Sequence, residues 1–184
     1  MHFACINPNV EVLSQLLDVN PDFNMQDTDM RRPIHYAAAS ENADALKLLV
    51  EKGANLADID MQKTTCLHVA ALARRPENIR FILTKNPALL KLRDKKGKTA
   101  MAFACENGDL ESIKALIEHG LGVNQGAGAD RQPPLAWAAA LGLYEVCEWL
   151  LDHKARVLGK DKFKRCPLAL AVRNGHLKVA SLLL

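Results

Sequence analysis

The amino-acid sequence predicts an all-α solenoid, a single stack of about six helix–turn–helix units with short β-turn fingers. Three observations predict it. A phrase of the form apolar–His/Ala–x–Ala occurs as Met1-His2-Phe3-Ala4, Ile34-His35-Tyr36-Ala37, Leu67-His68-Val69-Ala70, Met101-Ala102-Phe103-Ala104, Leu135-Ala136-Trp137-Ala138 and Leu168-Ala169-Leu170-Ala171. Its second positions, 2, 35, 68, 102, 136 and 169, are separated by 33, 33, 34, 34 and 33 residues. Eleven, fourteen and fifteen residues after this marker the chain is mostly apolar, from Leu13/Leu16/Leu17 and Leu46/Leu49/Val50 to Cys147/Leu150/Leu151 and Ala180/Leu183/Leu184. Eight residues before it stands Asp27, Asp60, Asp94 or Asp161, with Gly128 as the exception. One fixed period of this length is the signature of stacked supersecondary units.

Each element of the unit follows from these positions. The Asp accepts hydrogen bonds from nearby backbone amides and holds a tight turn. The Ala-rich phrase is a short first helix. A break follows, with Gly108, Gly142 and Gly175 at equivalent places and Pro8, Glu41 and Arg74 in the others. The spacing of three and four puts the next apolar set on one face of a second helix. An extended loop closes the unit, and its two one-residue insertions fall in Asn86–Arg93 and Gly120–Gly128. The units are then 1–26 (partial), 27–59, 60–93, 94–127, 128–160 and 161–184 (partial). Neither helix buries its apolar face alone, so neighbours must stack. The chain opens within a first helix and stops within a second, with no polar cap at either end, which suggests a segment of a longer array.

The pattern resembles the ankyrin-repeat family. Asp94-Lys95-Lys96-Gly97-Lys98-Thr99 matches the opening of its unit, Thr65-Cys66-Leu67-His68-Val69-Ala70-Ala71 the middle, Asn174-Gly175-His176-Leu177-Lys178-Val179 the start of the second helix, and Glu51-Lys52-Gly53-Ala54-Asn55 the end. The resemblance covers the whole chain. It departs at the turn glycine: only Gly97 keeps it, and Met30, Lys63, Arg131 and Lys164 must take steric strain or another turn type there. The resemblance implies that the marker histidines are structural, bonding between neighbouring units, and that the concave face meets the partner.

Composition excludes several other classes. The 184 residues are 49% hydrophobic and 24% charged, unlike a disordered tail. No apolar run reaches the roughly 18–20 residues that cross a bilayer. A net charge of +3 does not by itself indicate nucleic acid, and no aromatic residues interleave with the basic ones as in base-stacking surfaces. The five cysteines are odd in number and lack CxxC spacing, which suits reduced thiols in the cytoplasm, or the nucleus, of a cell. His2, His35 and His68 sit one unit apart, about 10 Å, too far to share an ion. No nucleophile elbow, triad or phosphate loop is present; Gly126-Ala127-Gly128 has no following Gly-Lys-Ser/Thr. No enzyme activity, cofactor, metal or small-molecule substrate is expected.

The resemblance places the partner surface on the fingers and first helices: Asp29, Arg31, Tyr36, Ser40, Gln62, Thr64, Leu72, Lys95, Lys96, Lys98, Phe103, Asn107, Asp130, Gln132, Trp137, Leu141, Lys162, Phe163, Arg165 and Arg173. Two features mark it. A basic stripe (Arg31, Arg32, Lys63, Lys95, Lys96, Lys98, Arg131, Lys162, Lys164, Arg165) would steer an acidic partner segment. Tyr36, Phe103 and Trp137 share the slot after the marker, and Phe163 stands at a finger tip as an anchor. Family members are also substrates of asparaginyl hydroxylation, and Leu16…Phe23-Asn24 and Leu116…Val123-Asn124 fit that spacing, so Asn24 and Asn124 are candidate sites. The expected function is a non-catalytic protein-interaction scaffold binding a protein or peptide. The alternative is a regulatory or anchoring arm of a larger enzyme, channel or cytoskeletal protein.

Overall fold

The marker phrase and the apolar triplets become paired helices. The structure, a computed structural model, describes residues 1–6, 9–19, 22–126 and 128–184. Pro8, expected at the first break, and Ala127, at the end of the fourth unit and in the Gly126–Gly128 run, lie outside the described residues.

The first unit opens with a 3-10 helix, His2–Cys5, followed by α1 (Val10–Val19). The second pairs α2 (Pro33–Ala39) with α3 (Asp44–Glu51) and the third α4 (Cys66–Leu72) with α5 (Pro76–Lys85). The fourth pairs α6 (Ala100–Asn107) with α7 (Leu110–Glu118) and the fifth α8 (Pro134–Leu141) with α9 (Tyr144–Asp152). The sixth pairs α10 (Pro167–Arg173) with α11 (Leu177–Leu182). The expected insertion after α5 forms a second 3-10 turn, Pro87–Lys91. Among the described residues there is no β-strand.

First helices pack on first helices along the stack, α2 on α4, α4 on α6, α6 on α8 and α8 on α10. Ala37, Ala70, Ala71, Ala104, Ala138 and Ala171 are fully buried there, and their small side chains let the helices approach. The second helices seal the other side with Leu46, Leu49, Ile79, Ile82, Ile113, Leu116, Cys147 and Leu150. Two members of the expected apolar set are corrected: Leu16 and Leu184 are exposed, in the first and last units. There α1 turns Leu13 and Leu17 inward, four residues apart on one face.

Every finger that carries the Asp uses it in the same way. Oδ1 of Asp60 accepts from the amides of Gln62 and Thr64, both at 2.8 Å. Asp27, Asp94 and Asp161 repeat the pair of bonds in their own fingers. The glycine question resolves as strain rather than a different turn. Met30, Lys63, Arg131 and Lys164 hold φ of 60°, 58°, 51° and 63°, in the left-handed region where Gly97 has 77°.

Neighbouring units are also tied by polar bonds. The tips of fingers join through Met61 N to Asp29 O (2.9 Å), Lys95 N to Gln62 O (2.8 Å) and Lys162 N to Asp130 O (3.0 Å). At His2 and His35 the marker histidine acts between units as expected, whereas Nε2 of His68 is buried without a hydrogen-bond partner among the described residues. His35 Nδ1 accepts from the Arg32 amide within its own unit, and Nε2 lies 3.3 Å from Thr64 O in the next. His2 Nε2 reaches Arg31 O at 3.1 Å. The thiols are free, with Cys5, Cys66, Cys105 and Cys147 buried and Cys166 half-buried. Burial pushes the Cys66 thiol up to about 12, which leaves it protonated and unreactive.

Candidate protein-binding surface

Residues of the fingers and of the first helices line the candidate site together. The structure brings seven of the expected residues together around one depression of about 230 Å³ between α4 and α6: Arg31, Gln62, Thr64, Leu72, Lys96, Lys98 and Phe103. Asp60, His68, Val69 and Asp94 complete its lining. Sequence reasoning had assigned Asp60, His68 and Asp94 to structure alone. A lining role for them has no local signal, because it depends on the neighbouring unit.

Leu72 is 55% exposed at the end of α4 and forms an apolar wall. The Phe103 ring meets His68 edge-on at 6.0 Å, and the Lys98 ammonium lies 5.4 Å from its centroid. Lys98 is held by Glu106 at 2.7 Å and Arg31 by Asp60 at 3.4 Å. Burial alone would raise the Asp60 carboxyl. The Thr64 and Gln62 donors and the Arg31 guanidinium outweigh it and hold the group below the usual carboxylate range.

The other expected residues lie elsewhere along the face. Tyr36 is half-buried, and its hydroxyl donates to Asp27 Oδ2 at 2.6 Å. Asn107 donates back to Leu72 O at 2.8 Å. Trp137 is half-buried against Gly128. Phe163 is 57% exposed at its finger tip, with Lys162 Nζ 4.9 Å and the Arg165 guanidinium 4.7 Å from the ring centroid. Leu141, Arg173, Asp29 and Lys95 are exposed, and Asp130 is half-buried.

Some expectations need correction. Ser40 is only 1% exposed, because its hydroxyl turns inward to Ala37 O (2.7 Å) and Asn42 O (2.6 Å) and closes α2. Gln132 is 8% exposed beneath its finger. Neither presents a side chain to the face. The aromatic slot is open at Phe3, half-closed at Tyr36, Phe103 and Trp137, and closed at Leu170. The basic stripe is half neutralised from within: Arg32 pairs with Asp58, Lys162 with Asp130, and Arg165 with Asp161 and Asp130, in addition to Arg31 and Lys98. Among the described residues Lys63, Lys95, Lys96, Arg131 and Lys164 form no ion pair. Of the two candidate modification sites, Asn124 uses both ends of its amide. Oδ1 accepts from Arg156 N at 2.7 Å and Nδ2 lies 3.3 Å from Lys154 O. Asn24 is exposed.

The depression between α4 and α6, about 230 Å³, lies below the about 300–1,000 Å³ of small-molecule pockets, and among the described residues no His/Cys/Asp/Glu group could hold a metal. Among the described residues no helix is long and apolar enough to cross a membrane.

A family model, "Ankyrin repeats (3 copies)", matches residues 1–94 and 86–161. The chain is 30% identical over its whole length to part of human transient receptor potential cation channel subfamily A member 1. It is 31% identical over 98% of its length to mouse inversin, and 29% identical over 90% to the poly [ADP-ribose] polymerase tankyrase of Caenorhabditis elegans. It spans only 17%, 18% and 8% of these relatives.

Proposed function

The chain belongs to the ankyrin-repeat family, a fold that serves as a protein-interaction module, and from that premise we propose that it is a non-catalytic scaffold holding a partner polypeptide along its concave face. The partner's acidic segment runs over the finger tips. The observation that supports this reading is the pair Lys95 and Lys96, exposed and without ion pairs among the described residues, beside the apolar wall of Leu72 and Phe103. A face preformed by fixed fingers loses little conformational freedom on binding. The free thiols suit a reducing, cytoplasmic setting.

The relatives favour a second form of the same reading, in which the array is the regulatory or anchoring arm of a longer chain, since a channel and a polymerase carry matching segments. The test is affinity capture with the wild type, with Lys96→Glu plus Phe163→Ala on the concave face, and with Lys114→Glu on the second-helix side. Binding partners should be lost only from the concave variant, with affinity falling as salt rises. Equal capture by all three proteins overturns the proposal.

A further inference from the structure

We infer that the depression between α4 and α6 is an anchor site for a short linear peptide element in which an apolar side chain lies within two residues of a carboxylate. The inference rests on the concave-face reading above and names what that face selects.

The depression exists because of residue size. At the slot after the marker, the second and fourth units carry Tyr36 and Phe103, while the third carries the smaller Val69 between them. Four residues after the marker, the first unit carries Ile6, the other full units Ala39, Glu106 and Ala140, and the sixth Arg173; among the full units only the third carries a large apolar residue, Leu72. A void over Val69 therefore faces an uncovered leucine and a fixed aromatic ring. Phe103 is held edge-on by His68 and from above by Lys98, so its position is set before any ligand arrives. About 230 Å³ accommodates one or two side chains of a peptide rather than a free metabolite.

Charge selects what stands beside the apolar residue. Of the lining acids, Asp60 is matched by Arg31, and both Asp60 and Asp94 spend Oδ1 on finger amides. Lys98 is matched by Glu106. Lys96 is the lining cation left over, and Lys95 extends it along the finger. The uncovered apolar wall and the leftover ammonium groups are complementary to an apolar residue with an adjacent Asp or Glu. The apolar contact, removed from water, carries most of the affinity, and the exposed ionic contact sets choice and rate.

The test is selection of a random twelve-residue displayed peptide library on the full chain, followed by fluorescence anisotropy with the labelled winners. The expected consensus is an apolar residue with Asp or Glu within two positions. Leu72→Asp should weaken binding about tenfold or more, since it places a carboxylate in the apolar wall. Lys96→Glu should weaken it about threefold to tenfold at low salt and little at high salt. Val12→Asp, an exposed apolar residue on α1, should leave binding unchanged; both Leu72 and Val12 are exposed, so the substitutions leave the core intact, which circular dichroism checks. Winners without an acid, or winners indifferent to Leu72→Asp but lost with Phe163→Ala, would overturn the anchor while leaving a concave binding face. Winners indifferent to every concave substitution would overturn both.

Discussion

The side-chain amide of Asn78 donates to the carbonyl of Ala38, 3.0 Å away in the preceding unit. The same Nδ2 lies 3.0 Å from Ser40 O, and Asn78 is fully buried in α5. Helix α2 ends there with carbonyls that have no partner within the helix, and the next unit supplies the donor. Arg75 adds Nε to Ala39 O at 3.0 Å. Asn78→Ala should therefore cost about 1–3 kcal/mol, the penalty of buried carbonyls left unsatisfied. Urea denaturation followed by circular dichroism checks it. A loss well under 1 kcal/mol would mean that water or Arg75 takes over the bond.

Gly142 and Gly175 allow a matched comparison. Both hold the left-handed conformation, with φ of 72° and 78°. A Cβ on Gly175 would meet nothing within 4 Å, whereas one on Gly142 would stand 2.5 Å from Nδ1 of His176 in the following unit. The His176 ring is itself held to Ala140 O at 3.1 Å. Gly175→Ala should cost only backbone strain, about 1–2 kcal/mol. Gly142→Ala should cost about 1–3 kcal/mol more, the expense of overpacking. Equal losses in the two variants, measured by urea denaturation, would show that this contact does not constrain the stacking.

Stability should fall in two steps as pH is lowered. Burial holds the His35 and His68 imidazoles below the ordinary 6.5, despite the carbonyls and carboxylates that favour their charged form. With the folded value depressed, the unfolded chain binds more protons, so stability is full above pH 6.5 and declines as pH falls below it. Asp27, Asp60 and Asp161 lie below the ordinary 3.8 because finger amides and side-chain donors outweigh burial. Their contribution is present above that value and lost below it. Urea midpoints between pH 8 and 3 should show both steps, and His35→Gln with His68→Gln should remove the upper one.

What the sequence made legible is what the period itself carries. Asp60 and its equivalents occur in phase and act within five residues, so their role could be read locally. The inward set of the second helices was legible for the same reason, apart from Leu16 and Leu184 in the end units. The candidate face was less legible because its character depends on neighbours about 30 residues away. Whether a finger lysine is free depends on whether an acid of another finger or helix reaches it: Lys162 meets Asp130, Lys98 meets Glu106, and Lys96 meets neither. Ser40 shows the opposite failure. Its position in the phase suggested exposure, but a hydroxyl at a helix end finds the nearest carbonyl and turns in. Asn78 was invisible because it places an amide at a buried position, and the partners of its Nδ2 lie in another unit.

The junction between the fourth and fifth units lacks two bonds found elsewhere. Asn107 and Asn174 close the preceding first helices through Leu72 O at 2.8 Å and Ala140 O at 2.7 Å. Leu141 stands at the equivalent position of the fifth unit, and among the described residues no side chain of that unit reaches the carbonyls ending α6. The finger tips of those two units also share no backbone bond among the described residues, unlike the junctions at Met61, Lys95 and Lys162. Leu141→Asn should restore the missing cap by donating to Glu106 O. Leu141 is 42% exposed at the last position of α8, so part of its apolar surface already lies in water, and the helix-propensity cost of Asn is a few tenths of a kcal/mol at most. A new bond contributes about 0.5–1.5 kcal/mol, so the balance favours the variant. Its urea midpoint should rise with an unchanged slope. A fall in the midpoint would mean that the leucine, not a polar tie, holds this junction.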